Sequence, residues 1–428
     1  MKKIVNSKYR ETYYEDTMDN GLKVVLWHKP DYEKSLFMMA TPLGAMDLRQ
    51  RDEQGKSYEF PAGIAHFLEH KMFEMGDKDV MDVFSQLGAN VNAFTSYSET
   101  AYYFSTSQDY KKPLALLLDF VQQLDISEAS IEKEKGIIIQ ELNMYKQMSD
   151  QRLLMETFSS LYAEHPLKYD IGGDAQSVSG ITKKQLEECY AINYHPSTMV
   201  LIGVTSHDPD EVLSVIRKNQ KKKKFAPAPK VMTVYVDEPE EVARKKYVFS
   251  MEVSVPKICI AYKLGGISDV RERIRQEWCI KIMLDAYFSS INEDYQSWID
   301  DEIINDYFGS EVDYGENYGS VLIYSETEKQ EAFEELVYNG VQSIAQAKLS
   351  EDVLQQLKRR YYGQTLRSLN SFDDIAISFV RSYFDGSDFF QSMEILDAIT
   401  MSDIEKACES LADAPFAEVI VQPKYQNK

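Results

Sequence analysis

The order of strand-forming and helix-forming segments runs through this chain once and then starts again, and that repetition constrains the fold more than any other feature. Residues 20–45, NGLKVVLWHKPDYEKSLFMMATPLGA, place two β-rich apolar runs on either side of a Pro-Asp turn and read as a hairpin. GIAHFLEHKMF follows with Ile64, Phe67 and Leu68 at helical spacing, and LGANVNAFTSYSETAYYFSTS then alternates as strands do. Helical patterns dominate from Lys112 to Tyr194, and TMVLIGVT at 198–205 closes this half as a buried strand. Residues 217–230, RKNQKKKKFAPAPK, join a lysine run to prolines at 227 and 229 and mark a linker. Beyond it come strand-like VMTVYVD, YVFSMEVSV and KICIAYKLGG, then helices from Arg271, then a late apolar strand AEVIVQP at 417–423. Element order and length carry this repeat, since identity between the halves is negligible. The expected fold class is α+β, with two similar halves of strands followed by helices. Residues 1–216 form one half, 217–230 the linker and 231–428 the other.

Composition narrows the possible partners. The 28 Tyr and 20 Phe against 13 Pro, with 44% apolar residues, describe a folded chain. A net charge of −22 disfavours nucleic acid and anionic membrane surfaces. The opening MKKIVNSKYRETYYED turns polar too early for a secretory signal, and no run of eighteen apolar residues occurs. Cys189, Cys259, Cys279 and Cys408 are scattered without a CxxC, which argues against a disulfide framework and a zinc ribbon and for a reducing cytoplasm. Residues 231–428 hold 19 basic and 36 acidic side chains, and no Lys or Arg stands between Lys281 and Lys329. That stretch is expected as a solvated face, and the chain's acidity favours neutral or cationic partners.

All six histidines precede the linker. His66 and His70 are four apart within AHFLEHK, so on a helix their imidazoles lie one turn apart on one face, near enough to hold one Zn²⁺. Glu69 sits beside them, and a carboxylate next to a metal can pass a proton from water to a leaving amine. Two histidines leave a catalytic zinc short of a protein ligand. IEKEKGIIIQELNMYKQ offers Glu134 and Glu141, two helical turns apart on one face, one to ligate and one to steady a histidine N–H. H-x-x-E-H is the inverted form of the common zinc-peptidase motif. His28, His165, His195 and His207 read as capping or packing residues, and Gly172-Gly173 lacks the context of a nucleotide loop.

The first half almost end to end resembles the pitrilysin or insulinase-like (M16-type) zinc peptidases, and the second half, through VPKICIAYK and GSVLIYSET, resembles a bacterial processing-protease-like subfamily of them. The matching segments are HFLEH, Glu134 and Glu141 some seventy residues on, GANVNAFTSYSETAYYFS, HPLKYDIGGDAQSVSGITKKQL and YHPSTMVLIGV. The resemblance implies that the two halves face each other. It implies zinc, one per chain, on His66, His70 and Glu141, with Glu69 as general base and Glu134 bracing a ligand. It also implies that Asn92 and Ala93 present an edge strand to a peptide substrate, which fits the way extended peptides add to sheet edges. In the second half the family usually carries a Leu-Arg segment and a later Tyr. Here SWIDDEIINDYFGS stands in that place, with Ile299 at the arginine position and Tyr307 as the tyrosine that would touch substrate.

The expected activity is hydrolysis of peptides or small unstructured polypeptides through metal-activated water, as a homodimer or a heterodimer with a sibling chain. Two alternatives stand beside it: a zinc-carrying subunit active only with such a sibling, and a non-catalytic peptide-binding or structural subunit.

Overall fold

The computed structural model describes residues 1–76, 78–346 and 349–424. The first half contributes strands β1 (Lys2–Asn6), β2 (Glu11–Thr17), β3 (Lys23–His28), β4 (Ser35–Thr41), β5 (Arg49–Asp52) and β6 (Ser57–Glu59) before helix α1 (Ile64–Met72). The short β7 (Glu74–Met75) and β8 (Lys78–Asp79), helix α2 (Val80–Gln86), and strands β9 (Asn90–Thr95) and β10 (Thr100–Thr106) come next. Helices α3 (Lys111–Val121), α4 (Glu128–Tyr145), α5 (Ser149–Leu161), α6 (Ala175–Gly180) and α7 (Lys183–Asn193) precede β11 (Val200–Thr205) and α8 (Pro209–Gln220). α8 therefore takes in residues 217–220 of the expected linker.

One seven-stranded sheet, in the order β1-β2-β3-β11-β4-β10-β9, carries this half. β3 and β4 do not pair as the expected hairpin. β11 inserts between them, parallel to β3 (Ile202 opposite Val25) and antiparallel to β4 (Ile202 opposite Met38). The burial pattern explains the insertion: β4 and β11 are buried along their whole length, as suits central strands with both faces covered. The opening pair β1 and β2 extends the sheet on the side away from β9.

The second half begins with β12 (Val231–Thr233), which pairs with β5 in a small sheet with β6. Then follow β13 (Lys246–Met251), β14 (Lys257–Leu264), α9 (Val270–Tyr287), α10 (Tyr295–Asp300), β15 (Gly309–Tyr314) and β16 (Gly319–Glu326). α11 (Gln330–Gln346), α12 (Glu351–Ser368), α13 (Phe372–Asp385), α14 (Gln391–Ala398), α15 (Met401–Ala412) and β17 (Phe416–Pro423) complete it. Its sheet order is β13-β17-β14-β16-β15, with β13 parallel to β17 and the rest antiparallel. This is the first sheet's β3-β11-β4-β10-β9 over again, so the fold is α+β and built as a repeat.

β15 and β16 interrupt the helices expected from Arg271 onward. They fall inside the acidic stretch, where outward Glu311 and Asp313 alternate with half-buried residues. Tyr324 donates to Glu311, Tyr318 to Asp313 and Tyr361 to Asp285, and Lys257 pairs with Glu326, so part of this charge is tied down within its own sheet and helices.

Packing divides the chain into two compact units. One takes Met1–Leu142, Tyr169–Val234 and Leu366–Phe384; the other takes Asn143–Lys168, Tyr235–Thr365 and the chain from Asp385 onward. Residues 217–230 thus belong to the first unit, and the divide there falls after Val234. Each unit also includes a helix from the opposite half of the sequence. α5 packs on β14 and β17, while α13 sets Phe379 edge-on to Tyr13 at 6.1 Å.

In the first unit Phe37, Phe104 and Tyr110 stack within one apolar core that also takes Ile64, Phe67, Leu68 and Met72 of α1. Burying Phe67 and Leu68 stabilises α1 by about 1.5–3 kcal/mol each. His66, Glu69 and His70 are left on the opposite, half-buried side.

Candidate metal centre and active site

α1 starts at Gly63, whose φ of 88° lies in the left-handed region that glycine adopts freely. A Cβ there would fall 2.3 Å from the carbonyl oxygen of Gly172, and one on Gly173 would fall 2.5 Å from that of Ala62. The glycine pair thus lets the loop after residue 170 press against the start of the motif helix. Gly172 also touches the site, since its Cβ would stand 3.4 Å from His66 Nδ1.

Glu141 Oε2 lies 3.4 Å from His70 Nε2 and 3.9 Å from His66 Nε2, and the two imidazole centroids are 4.5 Å apart. Ligand atoms from all three residues lie within 4.8 Å of one another, and among the described residues no other trio of His, Cys, Asp or Glu does so. Ligands at 2.0–2.1 Å around a tetrahedral ion stand roughly 3.4 Å apart, so two imidazoles and a carboxylate at these spacings fit zinc and leave a position open. His66 Nδ1 is buried without a hydrogen-bond partner.

Glu134 stands beside His70 and Lys71. Its Oε1 accepts from His70 Nδ1 at 3.0 Å, and its Oε2 stands 3.8 Å from the fully buried ammonium of Lys71. Lys71 in turn pairs with Glu74 at 2.5 Å. Glu69 Oε2 accepts from the Thr95 hydroxyl at 2.5 Å.

Three carboxylates around two imidazoles give the site a surplus of negative charge. Burial pushes His66 down to about 4, helped by neighbouring His70. Burial acts in the same direction on His70, but hydrogen bonds with Glu134 and Glu141 outweigh it and hold that ring up at about 9. Burial raises the Glu69 carboxyl, against the Thr95 hydrogen bond and the charge of His70. Glu134 stays low despite burial because His70 and Lys71 hold its charge.

Asn92 and Ala93 lie on β9, the edge strand of the seven-stranded sheet. A cavity of about 580 Å³ is lined by both, together with Glu69, His70, Phe73 and Glu134, so the edge and the motif share one groove. The Asn92 side chain accepts the Ala93 N–H at 2.9 Å. Tyr307 belongs to the second unit, where its hydroxyl donates to Asp150 at 2.8 Å and its ring lies 4.2 Å from Lys257 Nζ; burial and Asp150 push the hydroxyl far above the ordinary tyrosine range. Ile299 lies on α10 in the same unit.

The other histidines sit outside the centre. His28 meets the Ser206 carbonyl, His165 stacks on Tyr235, His195 caps the turn at Ser197, and His207 packs on Tyr110. Thr95, Lys71 and Gly172 are contacts that sequence reasoning did not single out. For Thr95 a signal existed: it shares a strand face with Ala93, two residues before it.

Comparison with known proteins accounts for this arrangement. The insulinase family, peptidase family M16, matches residues 53–175, which hold His66, Glu69, His70, Asn92, Ala93, Glu134 and Glu141, and the peptidase M16 inactive domain matches residues 180–361. The uncharacterized zinc protease YmfH of Bacillus subtilis is 34% identical over 96% of both chains. A protein named as mitochondrial-processing peptidase subunit beta in Schizosaccharomyces pombe is 28% identical over 47% of this chain and 43% of its own length. Among solved structures, one called an M16-like peptidase, from Alicyclobacillus acidocaldarius, superposes with a TM-score of 0.92 at 32% identity, covering 97% of this chain and 99% of its own. A Helicobacter pylori protease shares the fold at a TM-score of 0.81 and 17% identity, over 96% and 99% of the two chains. With these two family matches and a relative 34% identical over 96% of the chain, the chain belongs to the insulinase family of peptidases, family M16.

Proposed function

We propose that this chain is a zinc-dependent peptidase that hydrolyses peptides or small unstructured polypeptides. The observation that carries the reading is the convergence of His66, His70 and Glu141 on one point, with Glu69 beside them and the edge strand β9 on the same groove. His66, His70 and Glu141 would hold one zinc ion per chain. When bound, zinc supplies a Lewis acid that polarises the scissile carbonyl and makes water acidic. Glu69 takes the proton from the attacking water and returns it to the leaving amine nitrogen. Glu134, backed by Lys71, keeps His70 turned toward the ligand position. A substrate adds to β9 as an extended strand, exchanging its own acceptor for the Asn92 side chain on the Ala93 N–H.

A second reading, a zinc-bearing subunit active only with a sibling chain, is favoured by Ile299 at the position where the family carries arginine and by the relative that is named as a subunit. The four cysteines are all buried and none forms a disulfide, which suits the cytoplasmic site we propose; no helix among the described residues is long and apolar enough to cross a membrane. The deciding experiment measures turnover of an internally quenched unstructured peptide by the zinc-loaded chain, alone and with any copurifying sibling. Turnover by the chain alone, abolished by chelation and restored by zinc, supports the first reading. Turnover only with a sibling supports the second, and none under either condition overturns both.

A further inference from the structure

We infer that Thr95 is a positioning residue for the Glu69 carboxylate: its hydroxyl occupies one carboxylate oxygen and leaves the other to carry protons. The inference rests on the reading of Glu69 as the general base. Thr95 ends β9 and stands opposite Thr100 of β10 in the sheet register. Its Oγ1 lies 2.5 Å from Glu69 Oε2. Thr100 Oγ1 lies 2.7 Å from the carbonyl oxygen of Leu43 and 3.4 Å from Thr95 Oγ1.

Each hydroxyl has one proton to give, and these distances assign both. The Leu43 carbonyl can only accept, so the fully buried Thr100 spends its proton there at 2.7 Å and has none left for Thr95. An ionised Glu69 can also only accept. The Thr95 proton therefore points at Oε2.

The direction of that bond is set by rigid parts on both sides. Fully buried Phe67 and Leu68 fix the Glu69 backbone, which leaves the torsions of the glutamate side chain as the remaining freedom. A β-branched residue on a strand has restricted χ1, so Thr95 offers its hydroxyl in one direction. Glu69 Oε2 is thereby held, and a base tied at one oxygen meets its water in fewer orientations than a free one.

Thr95→Val removes the hydroxyl and keeps the shape and the strand preference, while Thr95→Ser keeps the hydroxyl. We expect Thr95→Val to lower kcat by about 10- to 100-fold with KM and zinc content unchanged, since loss of a hydrogen bond to a charged group acts on the chemical step. Thr95→Ser should recover most of that loss. Turnover by Thr95→Val within about twofold of the parent, or equal damage from both variants, overturns the inference. Glu69→Gln assayed beside them separates the two levels: if it stays active, the base assignment has failed; if it is inactive while Thr95→Val is active, only the inference has. Crystal structures of the zinc-loaded parent and Thr95→Val proteins read the same point without turnover. The Glu69 carboxylate should keep its bond to residue 95 in the first and leave that position in the second, and an unmoved carboxylate refutes the positioning role.

Discussion

Helices α1 and α9 lie between equivalent strands of two copies of one sheet topology, and they differ in what their polar residues do. α1 buries Ile64, Ala65, Phe67 and Leu68 and turns His66, Glu69 and His70 toward Glu141. α9 buries Cys279, Ile280, Ile282, Met283 and Leu284 in the same manner, but its charges hold structure: Arg273 donates to the Ile267 carbonyl and pairs with Asp385. The apolar faces make the fold in both halves, and in one of them the histidines of α1 lie together with Glu141 of α4 in a spacing that fits a metal ion. Topology alone predicts nothing about chemistry here.

The sharpest way to break this contrast is to empty the α1 face of its reactivity while leaving its architecture. Glu69→Gln should retain zinc and lose about 100- to 10,000-fold in kcat, because the amide keeps the shape of the carboxylate and cannot accept the proton. Metal analysis and peptide turnover on the same preparation check it, and an active Glu69→Gln protein moves the base elsewhere. Glu141→Gln should act on the metal itself. A neutral amide is a poor third ligand for zinc, so zinc affinity should fall by more than about 100-fold, read by competition with a chromophoric chelator. Normal affinity would remove Glu141 from the ligand set.

Removing the carboxylate that braces His70 should cost less. Glu134→Gln keeps an acceptor for His70 Nδ1 but loses the negative charge that Lys71 stabilises, and zinc affinity should drop by about 10- to 100-fold. A loss as large as that of Glu141→Gln would show that the two glutamates share the ligand role.

How far the sequence discloses this molecule differs between its helices and its sheets. Helical spacing is local, so the four-residue step from His66 to His70 and the seven-residue step from Glu134 to Glu141 already place each pair on one face. Strand order is not local. Neighbouring runs favour pairing, and nothing in KVVLWH or SLFMMAT says that a strand some 160 residues later will lie between them. β15 is obscured for a different reason, because its outward Glu311 and Asp313 make a half-buried strand resemble a solvated charge run. Lys71 and Gly172 reach the centre through tertiary packing, of which a chain position carries little trace, whereas Thr95 is legible from the strand face it shares with Ala93.

The smallest expected effect lies on α9 and tests whether its charges serve structure alone. Burial, reinforced by the nearby Asp313 and Asp385 carboxylates and opposed by Lys281 and Arg273, pushes the Glu277 carboxyl up to about 7. A carboxyl whose pKa is raised on folding binds its proton more tightly in the folded state. Its contribution is therefore fully present below the unfolded value near 4.5 and is lost as pH rises through about 7. With Arg273 and Lys281 facing it, the group should make the protein less stable at pH 7.5 than at pH 5 by roughly 1–2 kcal/mol, a change of a few degrees in Tm. Glu277→Gln has no proton to lose and should flatten that slope while leaving zinc affinity and turnover at the parent's values. A slope that survives the substitution would assign the pH dependence to other groups. A loss of turnover in Glu277→Gln would show that the second half's counterpart of the motif helix does more than hold its own unit together.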